Sequence, residues 1–202
     1  DYEGGGNAPA AFEAAESVIE PNSYKQVLRM EEPRKSRYVE ATLQEKERLF
    51  KMGAVEKVKF KDLPPDAVIE KMRLVYDTKY DKNGNYIKNR ARGVKRGDLS
   101  KSKGSLTFAP TPRAASYRMI AALAAEFDLG LLQADWTGAF LNAQAQRKVI
   151  IDPCEGLRDY NADGSYSLWR QLKNMYGDKE AARLWYERLK QEVVKYGFKE
   201  NQ

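Results

Sequence analysis

The stretch Leu132-Gln133-Ala134-Asp135-Trp136-Thr137-Gly138-Ala139-Phe140-Leu141-Asn142 decides how this chain is read. A short apolar run, Leu129 to Leu132, delivers a single carboxylate, Asp135, and an aromatic ring, Phe140, follows five residues later. An acid at a strand end can hold a divalent cation, because hard metals take oxygen ligands. The pattern predicts a strand over residues 131–136, fed by a buried, Ala-rich helix over residues 112–127 with Gly130 behind it.

Upstream, Asn83-Gly84 separates two strand-like runs, residues 66–80 and 85–94, and is a strong short-range hairpin signal. Residues 79–104 carry nine Lys or Arg against two Asp. Such an excess suits a polyanion, since neutralised phosphates release counterions. Arg90 and Arg92 alternate along the second run and so share a face; guanidinium forks hold phosphate oxygens bidentately. Lys88, Lys95 and Arg96 extend the basic stretch.

Elsewhere, residues 36–52 read as a helix with Ser36 as N-cap and Gly53 just past its end. Residues 149–151 and 166–169 read as short strands, the second after the turn Asn161-Ala162-Asp163-Gly164. Residues 179–196 form an amphipathic helix pattern with Trp185, Leu189 and Val193 on one face. Residues 1–22 carry Asp1, Glu3, Glu13, Glu16 and Glu20 and no base, an acidic arm with little apolar surface. Such an arm would need a partner to hold it in place, and residues 99–106 read as a loop.

Composition narrows the chemistry. The 202 residues include one cysteine, Cys154, and no histidine. A disulfide within the chain, Ser-His or Cys-His catalysis and most zinc sites are thereby excluded. No apolar stretch is long enough to span a bilayer, so membrane insertion is not expected and the chain reads as soluble and intracellular.

The motifs together resemble the reverse transcriptases of Ty1/copia-type retrotransposons. The opening stretch is similar to Gln-x-Asp-Val-x-x-Ala-Phe-Leu-Asn, with Trp136 in place of Val. Residues 90–97 are similar to Lys-Ala-Arg-Leu-Val-Ala-Arg-Gly, and Thr107-Phe108-Ala109-Pro110 with Arg113, Ser116 and Arg118 to Thr-Phe-Ala-Pro-Val-x-Arg-x-x-Ser-x-Arg. Residues 175–186 resemble Leu-Tyr-Gly-Leu-Lys-Gln-Ala-Pro-Arg-x-Trp-Tyr. Tyr24, Glu40 and Gly53 fit the family's opening, and Gly197-Phe198 closes a match running from about residue 21 to 202.

The resemblance implies an α+β fold: a fingers-like region with a basic β-hairpin over residues 23–112, and a partial palm over residues 113–202. It implies RNA-templated DNA synthesis with Mg²⁺ on an RNA or RNA–DNA hybrid template-primer with dNTPs. Asp135 and the main-chain carbonyl of Trp136 would hold metal, and Phe140 would gate the sugar. Arg90, Arg92, Lys95 and Arg96 would contact phosphate or template, and Gly177, Lys179 and Glu180 would lie under the nucleotide. The chain departs from the pattern at Leu74, Gly93, Asp178, Glu180 and Ala182, where the family has Trp, a β-former, Leu, Gln and Pro. Asp178 is also a good helix N-cap. The family's second carboxylate pair, Tyr-x-Asp-Asp, is absent, so the sequence reads as a fragment truncated before that hairpin and inactive alone. The alternative is a domesticated, catalytically inactive copy serving as a structural or nucleic-acid-binding subunit of a protein or ribonucleoprotein assembly. A general RNA-binding module fits less well, because no paired surface aromatics for base stacking stand out.

Overall fold

Exposed and buried positions alternate from Ile69 onward, with Glu70, Met72, Leu74 and Tyr76 turned inward, along the longest strand of the computed structural model, which describes residues 19–99 and 106–199. That strand, β2 (Ile69–Tyr80), pairs antiparallel with β3 (Tyr86–Lys95). β2 also pairs parallel with β4 (Ile150–Asp152), which pairs antiparallel with β5 (Leu168–Gln171), and β5 with β1 (Val55–Val58). The sheet order is β1-β5-β4-β2-β3. It draws strands from both sides of residue 112, so the expected fingers-like and palm-like segments share one sheet. The α+β class expected from the sequence holds.

Around the sheet lie four helices, α1 (Tyr24–Val27), α2 (Arg34–Lys51), α3 (Ala114–Glu126) and α4 (Ala181–Lys195), and short 3-10 turns that include one at Ala139–Asn142. α2 buries Tyr38, Ala41, Thr42, Glu45 and Leu49, a stripe at helical spacing. The stripe packs with Met72, Leu74, Tyr76 and Ala91 of the hairpin and with Ile151, Leu157, Trp169 and Met175. Each large side chain buried there contributes roughly 1.5–3 kcal/mol. The hydroxyls are paired: Thr42 Oγ1 lies 3.1 Å from the Tyr76 hydroxyl, and Tyr38 bonds Thr78 Oγ1 at 2.8 Å and the Glu20 carboxylate. Burial is the main cause that pushes both phenols up to about 12. Glu20 also accepts the Thr78 N–H at 2.9 Å, so the last residues of the acidic segment are fixed to the hairpin; residues 1–18 lie outside the described residues.

Several expectations are corrected. α2 begins at Arg34, and Ser36 is not its cap; the Glu32 carboxylate accepts the Ser36 N–H at 3.1 Å instead. The hairpin forms, but its turn is longer than two residues. Asp81 and Asn85 close a loop in which Gly84 takes φ +84° and the Asp81 carboxylate accepts two backbone N–H groups. α3 forms, yet only Ala124 of it is buried. Its end turns at Asp128, with φ +49°, and not at Gly130. Residues 131–136 are not a strand, and they are exposed. A strand needs an edge, and at β3 the outward N–H groups of Gly93 and Lys95 are already taken by Glu45 and by the Tyr176 carbonyl.

Candidate nucleic-acid interface

A cleft of about 220 Å³ opens between α2 and the outer edge of β3. Arg48, Lys88, Arg90 and Arg92 supply four cations to its lining, and Gln44 and Thr137 supply polar groups. Glu45 orders the floor. Its carboxylate accepts the Gly93 N–H at 2.9 Å and two Arg48 N–H groups at 2.8 and 3.0 Å. Burial raises the Glu45 pKa, opposed by the Gly93 N–H and by the Arg48 and Arg92 charges. Gly93, which departs from the family pattern, has a physical reason here: a Cβ would press on the ends of Met72 and Leu49.

The decisive motif reaches this cleft through Thr137 and Gly138. Gly138 adopts φ +63°, and a Cβ there would meet Arg48 and Met52 at 3.2–3.3 Å. The Asn142 amide donates to the Thr137 and Gly138 carbonyls, closing the turn. Phe140, the expected sugar gate, packs edge-on against Tyr176 at 5.4 Å, and Trp136 against Trp185 of α4 at 5.7 Å. Leu141, next to Phe140 in the chain, is fully buried. Asp135 itself is exposed. Among the described residues, no three Asp, Glu, Cys or His side chains converge as a metal-binding group. Asp135 and the Trp136 carbonyl are two oxygen donors, which by themselves do not fit a two-ion centre.

The end of β3 meets the segment carrying Gly177. The Lys95 N–H donates to the Tyr176 carbonyl at 2.7 Å, and Val94 bridges Tyr176. Gly177 takes φ +90°; a Cβ on it would overlap the Lys95 carbonyl, and a Cβ on Gly97 the Gly177 carbonyl. Two glycines therefore let the backbones cross.

Beneath the crossing lies a buried polar cluster, which corrects the expectation for Lys95. Lys95 is only 3% exposed, and its ammonium bonds Asp178 at 2.6 Å, Glu70 at 2.7 Å and Gln171 at 2.7 Å. Held by two carboxylates inside the fold, Lys95 is not presented to a phosphate. Asp178 is corrected too. It does not cap α4; it accepts the Met175 N–H and the Gln171 amide, and its charge is offset by Lys95. The family-pattern Ala and Leu at these two positions are replaced here by an ion pair. Arg147 reaches the other oxygen of Glu70 at 3.2 Å. A cavity of about 20 Å³, room for one water, lies against the cluster and is lined also by Lys179 and Glu180. Arg96 is held by Asp98 at the surface.

The structure thus brings Arg90 and Arg92 to the motif loop, and Gly177 to the base of their strand. Sequence reasoning missed Arg48, Glu45 and Glu70. Arg48 was within reach, since Ala41, Gln44 and Arg48 follow one helical stripe; Glu70 was not, because its partners are distant in the chain.

The family described as reverse transcriptase (RNA-dependent DNA polymerase) matches residues 56–202. The chain is 31% identical over 170 residues to the Retrovirus-related Pol polyprotein from transposon TNT 1-94 of Nicotiana tabacum, covering 83% of this chain and 12% of that protein. It is 28% identical over 138 residues to the corresponding polyprotein from transposon RE2 of Arabidopsis thaliana, covering 67% and 9%. It is 27% identical over 168 residues to the Truncated transposon Ty1-A Gag-Pol polyprotein of Saccharomyces cerevisiae, covering 80% and 13%. The chain thus spans only about a tenth of the length of the curated relatives it matches. No solved structure matches it. With its motifs, their spatial grouping and these relatives in agreement, the chain belongs to the reverse-transcriptase family of the Ty1/copia type.

Proposed function

We propose that this chain is part of the reverse-transcriptase region of a retrotransposon Pol polyprotein, and that the cleft between α2 and β3 binds the phosphates of a template-primer or an incoming nucleotide. The observation that carries the reading is the convergence of Arg48, Lys88, Arg90 and Arg92 on one cleft whose wall includes Thr137 of the family's first motif. Arg48 is held in place by Glu45, and Arg90 and Arg92 rise from one face of β3, so their guanidinium forks can meet phosphate oxygens bidentately. Asp135, with the Trp136 carbonyl, would contribute two oxygen ligands to Mg²⁺ beside this cleft, and Phe140 would lie against the sugar. Lys179, Gly177 and Glu180 would border the nucleotide from the far side of β3.

The test is affinity against salt for an RNA–DNA hybrid, comparing the native chain with Arg90→Ala/Arg92→Ala. Each lost phosphate contact lowers the log–log slope by about one unit, so a drop of about two is expected. Equal slopes would remove both arginines from the interface.

A further inference from the structure

The hairpin tip carries a surface that the phosphate cleft does not account for. Tyr80 and Tyr86 are direct cross-strand partners and are 45% and 40% exposed, with Ile87, at the register shift, 54% exposed. Paired aromatic residues are therefore present at the surface, contrary to the expectation from sequence. They did not stand out because six positions and a turn separate them in the chain. The Tyr86 ring is held in place: its hydroxyl accepts the Asn89 N–H at 3.1 Å, and the Arg37 guanidinium stacks 4.2 Å from its centroid.

Charge around these rings is arranged for an anion. Lys79 and Lys88 stand directly opposite each other across the strands, an unfavourable like-charge pair. Asp77 offsets Lys79 only at 3.4 Å. Lys82 and Arg37 are exposed nearby. Asp81, in the turn, directs its carboxylate at the Asn83 and Asn85 N–H groups. A ligand that combines flat rings with regularly spaced negative charge satisfies both features, and unpaired nucleic acid is that ligand. Bases stack on aromatic faces and guanidinium planes while phosphates meet the lysines.

The surface also leads somewhere. Arg37, Ala41, Gln44 and Arg48 form one stripe on α2, so the Tyr86–Arg37 stack lies roughly 16 Å along the helix from the inner end of the cleft. Lys88 is common to both.

We infer that Tyr80 and Tyr86, with Arg37, form a stacking site for unpaired nucleotide bases at the outer end of the basic cleft. This rests on the cleft binding phosphates, and it adds a preference for single strands over duplexes.

The test uses the full chain and an oligonucleotide of about 12 nucleotides, within the site sizes of single-strand binders, carrying 2-aminopurine, in RNA and DNA form, single-stranded or annealed. Tyr80→Leu/Tyr86→Leu should lower single-strand affinity by roughly tenfold or more, abolish the 2-aminopurine signal, and leave the salt slope and duplex affinity unchanged. Tyr80→Phe/Tyr86→Phe, which keeps both rings and the Arg37 stack and gives up only the bond from the Asn89 N–H, should keep the 2-aminopurine signal and lose far less affinity than the Leu variant. A Leu variant that binds single strands as tightly as the native chain, or loses both forms equally, overturns the stacking site while the phosphate cleft stands. A native chain that binds neither form at low salt overturns both.

Discussion

Two regions of this molecule carry family motifs and could hardly differ more in how they are held. At the base of β3, Lys95, Glu70, Asp178 and Gln171 bury their charges and amides against one another, and the Gly97 and Gly177 backbones cross at contact distance. From α3 to Asp135, the chain exposes Tyr117, Met119, Ile120, Leu123, Phe127, Leu131 and Leu132. The better match to the family pattern is in the exposed region; the greater departure, Lys95 with Asp178, is in the buried one. A motif match reports which residues a reaction needs. It does not report what holds them.

The comparison can be broken first at the buried pair. Lys95→Ala leaves Glu70 and Asp178 inside the fold without their shared cation, and removing one partner of a buried pair costs about 3–5 kcal/mol. Adding Asp178→Leu replaces the ion pair by the family's apolar pair, so the double variant should be more stable than the sum of its parts by about 0.5–3 kcal/mol. Urea denaturation of both singles and the double measures this coupling. Strict additivity would show that Lys95 and Asp178 do not act as a unit.

The backbone crossing is next. Gly177→Ala places a side chain at φ +90° and into the Lys95 carbonyl, so strain and overlap combine. A loss of about 1–3 kcal/mol is expected from the conformation alone, with the overlap adding to it. Gly164→Ala, at φ +77° but with open space around it, separates the two effects and should cost less.

A smaller effect belongs to Glu45. Burial holds its folded pKa above the ordinary 4.5. The folded state therefore keeps a proton that the unfolded chain releases, and stability falls as pH rises through the window above 4.5. Glu45→Gln should flatten that part of the pH–stability curve while retaining an acceptor for the Gly93 N–H. A curve with the native slope would assign the pH dependence to other groups.

What was legible in the sequence follows from the range of the forces involved. The β2–β3 hairpin could be read because alternation and an Asn-Gly turn are local signals, and α2 and α4 because their apolar stripes repeat every turn. The Lys95–Asp178 pair could not, since 83 positions separate the partners and each alone looks like a surface charge. Residues 131–136 read as a strand because apolar runs predict a tendency to be buried; pairing depends on a free edge, and β3 has given its edge groups at Gly93 and Lys95 to other partners. At the candidate site, Arg90 and Arg92 were identified from their alternation, whereas Arg48 joins them only through the packing of α2.

The smallest effect sharpens the contrast most. Asp135 is exposed, and its stretch has no sheet partner among the described residues. Substitutions at such surface positions usually stay within about 0.5 kcal/mol. Asp135→Asn and Leu132→Ser should therefore leave the urea midpoint and slope of this chain unchanged, although the first removes the most diagnostic side chain in the sequence. Lys95→Ala, at a position where the chain departs from its family, should cost several times more. A loss above about 1 kcal/mol for Asp135→Asn would mean that its carboxylate is bonded in solution, and the separation between a structural and a chemical motif would fail at the residue where it is sharpest.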